Sequence, residues 1–289
     1  MRSWAETTEP RSITIDPRLL DTRHAFDSVA DVYDGPRGNN ALIQRMRHEV
    51  WRVLGDVFPA GARLLDLGCG TGIDAVHLAA SGYEILATDW SPAMVARTCG
   101  RAAEAGVGDR IRAEVLGAHE LQQLAGAEFD GIYSNLGPLN CALDLPDVAR
   151  WCASALKPRG RMVVSVIGRV CPWEFVYYAV RRDLARARLR GLRDTVPVTL
   201  NRHTVWTSYY TPREFYRAFA REFELTRYGA LALFLPPPYL IGIYERLGPL
   251  GTLLGWLDDR LGTLPLLRDA GDHFLMVMTR RTSTLSVPV

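Results

Sequence analysis

The residues best suited to chemistry lie in the run Leu64-Leu65-Asp66-Leu67-Gly68-Cys69-Gly70-Thr71-Gly72, an apolar stretch that ends in three alternating glycines and opens into a helical pattern. Glycine lets a backbone turn sharply and approach a ligand closely, and the first turn of the helix that follows leaves N–H donors unpaired. A dinucleotide fingerprint requires Gly-x-Gly-x-x-Gly, but Ile73 stands where its third glycine belongs. A carboxylate follows at Asp89, at the tip of the apolar run 85–88, with Trp90 beside it and a Ser91-Pro92 helix start behind it. At the end of a second parallel strand such a side chain is placed to accept both hydroxyls of a ribose. Asp66, two residues before the first glycine, is expected to anchor the loop backbone.

These residues need a sheet edge to hold them, and the surrounding pattern predicts one. Short apolar runs at 63–67, 84–88, 111–115, 129–134 and 162–167 read as strands, separated by helical stretches at 72–80, 92–105 and 144–156. That alternation predicts an α/β fold. Upstream, residues 24–57 read as a short helix, a turn at Gly35-Pro36 and a longer helix; downstream, 223–228 and 273–279 read as two further strands. The region 239–267 reads as one or two apolar helices broken at Gly248-Pro249 and Gly262. The expected division is a flexible tail over 1–22 and a single domain over 23–289, with cap helices at 23–60 and lid insertions at 169–222 and 231–272.

Composition narrows the function. With 289 residues, 48% hydrophobic and 23% charged, the chain can bury a large core. A formal net charge of only +2 gives no general reason to bind nucleic acid, and the arginines between 181 and 193 are spread around a helical pattern as a solvated face. The five cysteines are scattered without a Cys-x-x-Cys pair, so neither a disulfide framework nor a metal site is expected, and a reducing cytoplasm fits. No apolar stretch reaches the ~18 residues that would cross a bilayer. Membrane association is not expected.

The glycine run and Asp89 together resemble the class I S-adenosylmethionine-dependent methyltransferases. Residues 26–34 are similar to the opening helix of members acting on small molecules, and Leu156-Lys157-Pro158-Arg159-Gly160-Arg161 looks like the family's turn into the fifth strand. The resemblance implies a doubly wound, seven-stranded, mostly parallel Rossmann-like sheet and S-adenosyl-L-methionine as cofactor. Its contacts would be Tyr33, Asp66, Gly68, Gly70, Gly72, Asp89, Trp90 and Asn135. Many members carry an acidic adenine contact after the third strand; Leu116-Gly117-Ala118-His119-Glu120 offers the Ala118 backbone and the His119 side chain instead.

In that family the seventh strand runs antiparallel, which would bring its first residue, His273, to the active edge as a general base. Tyr178 is expected as its proton-relay partner, and Trp173, Tyr177, Trp206 and Tyr210 as the walls of a site for a small aromatic substrate. The combination of Cys171-Pro172-Trp173-Glu174, Tyr178 and Gly271-Asp272-His273-Phe274 resembles bacterial indole C3-methyltransferases that form pyrroloindoline alkaloids of the physostigmine type. The resemblance implies methylation of indole C3, with ring closure onto C2. O- or N-methylation of a phenol, amine or polyketide is the alternative within the enzyme class. A cofactor-binding protein without methyl transfer is the alternative outside it.

Overall fold

The computed structural model describes residues 15–282. It opens with α1 (Pro17–Asp27), capped by the Asp16 side chain, and α2 (Ala41–Val57), capped by Asn40, whose carboxamide oxygen accepts from the Leu42 and Ile43 N–H groups. The helix α1 incorporates residues 17–22, expected as tail; Pro17 at its first turn and the Asp16 cap start it earlier than apolar spacing alone suggests. Residues 1–14 of the expected tail lie outside the described residues.

The sheet is built by β1 (Arg63–Leu67), α3 (Ile73–Ala80), β2 (Glu84–Asp89), α4 (Pro92–Glu104), β3 (Ile111–Val115), β4 (Phe129–Ser134), α5 (Leu145–Ala155) and β5 (Leu156–Ile167). The chain then passes through α6 (Pro172–Val180), α7 (Leu184–Ala187), β6 (Val196–Leu200), β7 (His203–Thr207), α8 (Pro212–Phe219), β8 (Phe223–Leu231), α9 (Ile241–Leu247), α10 (Pro249–Leu261) and β9 (His273–Arg280). Seven strands form one sheet in the order β3-β2-β1-β4-β5-β9-β8. The first five run parallel, and β9 lies antiparallel to both β5 and β8. Apolar clusters cover both faces. One gathers Leu65, Ile132, Met162, Phe215 and Met276, and the other Leu64, Met46, Val50, Val163 and Val277. Burial on both faces explains why the inner strands read as continuous apolar runs.

Two regions depart from the sequence reading. The strand β5 starts at Leu156 rather than 162, because the expected turn residues continue the strand through an irregular register opposite Phe129 and Gly131. The insertion after β5, read as helical and aromatic, contains the antiparallel hairpin β6–β7, which packs against α1. Its turn is Asn201-Arg202, both with positive φ, and carries no glycine to announce it. Among the described residues no helix is long and apolar enough to cross a membrane.

Candidate functional site

The carboxyl ends of β1, β2 and β4 open onto one cavity of about 490 Å³. The loop after β1 supplies its floor. Gly68 has φ +78°, and a Cβ there would lie 2.3 Å from the Pro138 Cβ; Gly72 has φ +82° against Thr98. The Gly70 N–H donates to Asp89 Oδ2 at 3.0 Å, and the Ser91 N–H to Asp89 Oδ1 at 2.9 Å. Each carboxylate oxygen therefore keeps acceptor capacity for a ligand hydroxyl. Burial, with Asp27 nearby, raises the Asp89 carboxyl above its ordinary range.

Of the residues expected at the cofactor, Tyr33, Gly68, Gly70, Asp89, Trp90, Ala118, His119 and Asn135 line this cavity. Trp90 and His119 meet edge to face at 4.6 Å, and burial lowers the His119 imidazole. Burial raises the Tyr33 hydroxyl. Asp66 and Gly72 are not part of the wall. Asp66 is buried behind the loop, where its Oδ2 accepts from Tyr133 Oη at 2.9 Å, and burial together with the Asp74 charge pushes its carboxyl well up. Gly72 forms the left-handed N-cap of α3.

Sequence reasoning missed a polar group on the same wall. Arg47 of α2 is ion-paired with Asp74 of α3, which also accepts from Trp51 Nε1 at 2.7 Å and Asn135 Nδ2 at 3.2 Å. The Arg47 Nε is buried without a hydrogen-bond partner among the described residues. On α2 alone Arg47 reads as one more polar residue between apolar positions; only its approach to α3 reveals the pair.

S-adenosylmethionine presents a diol, a purine and an amino-acid end, and the wall has a matching group for each. Asp89 suits the diol. The surface formed by Trp90, Met94, Leu116 and His119 suits a flat heterocycle, and the Arg47 donor beside Asp74 suits a zwitterion.

At the far side of the cavity, β9 brings in His273, which pairs with Ile167 at the end of β5. Antiparallel entry thus carries the first residue of β9 to the edge where parallel strands end. Its Nδ1 lies 3.0 Å from Asp272 Oδ2. Although burial opposes its charge, Arg190 and His273 hold the Asp272 carboxyl well below the usual range. An ionised carboxylate only accepts, so Nδ1 carries a proton, and in the neutral ring the lone pair is on Nε2.

The expected relay partner is elsewhere. Tyr178 makes no hydrogen bond to His273 and does not line the cavity; its ring packs edge-on against Tyr177 at 5.1 Å, with Arg186 over it at 5.8 Å. Glu174, one turn earlier on α6, takes the buried inward position instead.

The four expected substrate walls are also displaced. Trp173 Nε1 donates to the Phe234 carbonyl at 2.7 Å, Trp206 Nε1 to Asp21 at 3.0 Å, Tyr177 lies under Arg181, and Tyr210 packs on Phe215. None lines the cavity, whose apolar wall includes Leu19, Ile43, Val198, Leu200, Val205 and Pro238. These are unremarked aliphatic residues in α1, α2, the hairpin and the segment before α9.

Comparison with known proteins follows the same elements. A ubiquinone biosynthesis O-methyltransferase of Xanthomonas axonopodis pv. citri is 31% identical over 136 residues, covering 47% of this chain and 55% of that protein. The chain thus spans about half the length of that relative. Its counterpart in Xanthomonas oryzae pv. oryzae is 32% identical over 190 residues, covering 64% of this chain and 75% of the other. A geranyl diphosphate C-methyltransferase from Streptomyces coelicolor, solved with S-adenosyl-L-homocysteine, shares the fold with a TM-score of 0.51 at 18% identity, over 81% of this chain and 79% of that one. The family model described as a methyltransferase domain matches residues 39–226. That span runs from the start of α2 into β8 and contains the glycine loop, Asp89 and the segment after β4, so the chain belongs to the methyltransferase domain family.

Proposed function

We propose that the chain transfers a methyl group from S-adenosylmethionine to a small, neutral aromatic acceptor whose N–H or O–H proton is drawn off by His273. One observation carries this reading. His273, oriented through Nδ1 by an ionised Asp272, lines the same cavity as the glycine loop and Asp89. When bound, S-adenosylmethionine supplies an electrophilic methyl group on a sulfonium.

The residues have separable tasks. Asp89 holds the ribose, Trp90 and His119 together offer a surface to the purine, Arg47 and Asp74 receive the amino-acid end, and His273 Nε2 accepts the proton that makes the acceptor more nucleophilic. The neutral character of the acceptor is supported by the remaining wall. Arg47 is paired with Asp74, Arg23 sits over Trp90, Asp144 caps α5 and Asp147 is paired with Arg150. Asp89 and His273 aside, the rest mixes aliphatic side chains and Phe26 with uncharged polar groups such as Thr22, Asn140, Thr199 and Thr207, which suits an uncharged molecule with an apolar body and a few polar atoms.

The acceptor atom we assign from the sequence resemblance is indole C3, for which proton sharing at the indole nitrogen raises electron density on the carbon. O-methylation is the second reading, supported by the names of the Xanthomonas relatives. The same base serves a phenol.

The test separates chemistry from binding. His273→Ala should lower kcat by about 10²- to 10⁴-fold, the usual contribution of a positioned general base, while cofactor affinity measured by calorimetry stays unchanged. Equal loss of cofactor affinity and turnover would place His273 in a structural role and overturn the reading.

A further inference from the structure

Arg190 lies in the lid, in the short turn Leu189–Gly191 after α7, yet it is only 8% exposed. Its Nε donates to Glu174 Oε2 at 2.9 Å and its Nη2 to Asp272 Oδ1 at 2.7 Å. Its Nη1 donates to the backbone carbonyls of Gly168 at 3.1 Å and Asp272 at 3.0 Å. Glu174 also accepts from Tyr239 Oη at 2.8 Å. A polar chain therefore runs from the exposed Tyr239 through the buried Glu174, Arg190 and Asp272 to His273, and its last member faces the cavity.

Burying three charges for packing alone is a poor bargain, since desolvation offsets most of their attraction and apolar residues fill such space as well. Its geometry suggests a task. We infer that Arg190 is a positioning residue for the His273 base, its planar fork fixing the Asp272 carboxylate where it receives the Nδ1 proton and so keeping Nε2 turned to the cavity. This rests on the reading of His273 as the base. It couples the lid to the chemistry, because Arg190 and Glu174 both belong to the insertion after β5.

The coupling has a sign. The titratable and charged groups around the pair are Arg190 and Glu174 from the lid, Tyr239 from the segment before α9, and Tyr209, Cys171 and Cys141. Burial pushes the Tyr209 hydroxyl and the Cys171 and Cys141 thiols up to about 12, leaving them neutral. Burial and Glu174 raise the Tyr239 hydroxyl as well. Near neutral pH the charges that act on the imidazole are therefore Asp272, Arg190 and Glu174. Removing the Arg190 cation leaves Asp272 to stabilise the imidazolium, so His273 should protonate at higher pH. Removing the Glu174 anion should act in the opposite direction.

The experiment reads His273 directly, by NMR titration of the ¹⁵N-histidine-labelled protein with His273→Ala assigning the resonance, and in parallel by the pH profile of kcat. Arg190→Gln should raise the His273 midpoint by about one pH unit, the scale of a single neighbouring charge, and carry the acidic limb of kcat with it. Arg190→Lys should bring both back toward wild type. Glu174→Gln should lower the midpoint, and it decides the matter alone if Arg190→Gln does not fold. A midpoint unmoved by either charge-removing variant, or moved with the same sign by both, overturns the inference. A midpoint that moves as expected while the kcat limb stays fixed supports the coupling and overturns the reading of His273 as the base.

Discussion

Asp89→Asn isolates the ribose contact. The carboxylate holds the Gly70 and Ser91 N–H groups at 3.0 and 2.9 Å with separate oxygens, and it offers its remaining lone pairs to a diol. Asparagine keeps one oxygen acceptor and replaces the other with a donor that faces the Gly70 or the Ser91 N–H. A hydrogen bond to a charged group contributes about 1.5–3 kcal/mol and a neutral one about 0.5–1.5 kcal/mol. Converting one ribose bond to the neutral kind and losing the other costs about 2.5–4.5 kcal/mol, or about 60- to 1,600-fold in affinity. Isothermal calorimetry with S-adenosylmethionine measures this, and thermal unfolding of the unliganded variant reports damage to the loop. A second ligand sharpens the result. A 2′,3′-dideoxy analogue of S-adenosylhomocysteine should discriminate far less between wild type and variant, because both bonds at issue are already absent. Affinity for S-adenosylmethionine within threefold of wild type, or an equal loss for the dideoxy analogue, would refute the ribose role of Asp89.

Three further outcomes follow from the site. Tyr178→Phe should leave kcat within about threefold of wild type in steady-state assays, well below the loss expected for a proton-transfer partner, since the hydroxyl does not reach His273. Gly68→Ala should place a Cβ against Pro138 at positive φ, costing about 1–3 kcal/mol of stability and lowering Tm by several degrees in calorimetry, with cofactor affinity reduced as well. Asp66→Asn should show a pH-dependent gain. Because burial and Asp74 raise the folded carboxyl above its unfolded value, wild-type stability falls as pH rises from the ordinary carboxylate range toward that raised value. The Tm of the variant relative to wild type should therefore increase from acidic to neutral pH, and a constant difference would contradict the assignment.

The cofactor side was legible because its signals are local. Three alternating glycines after an apolar strand leave few conformations for the loop, and Asp89 follows its own strand directly. The edge position of His273 was legible through topology, given an antiparallel last strand. Its partner was not, because Glu174 and Tyr178 share one face of α6 a turn apart, and the one that joins the polar chain is set by Arg190, which arrives from a turn with little sequence pattern. The aromatic residues misled for a physical reason. An indole in a polar stretch suits stacking on a substrate, but the Trp173 and Trp206 N–H groups instead tie α6 to the Phe234 carbonyl and β7 to Asp21 of α1. Part of the wall that replaces them comes from a hairpin turned by Asn201 and Arg202, without the glycine that would have marked it. Arg47 and Asp74 become a site only when α2 and α3 meet.

The central claim is methyl transfer to a neutral aromatic in this cavity. Incubation of the protein with methyl-labelled S-adenosylmethionine and a panel of tryptamines, phenols and amines, followed by product mass and the position of the label by NMR, tests it most directly. The account predicts label on an aromatic acceptor, at indole C3 or on a phenolic oxygen, with loss of transfer in His273→Ala. S-adenosylmethionine that binds but delivers no label to any member of the panel, or label delivered equally well without His273, would contradict it.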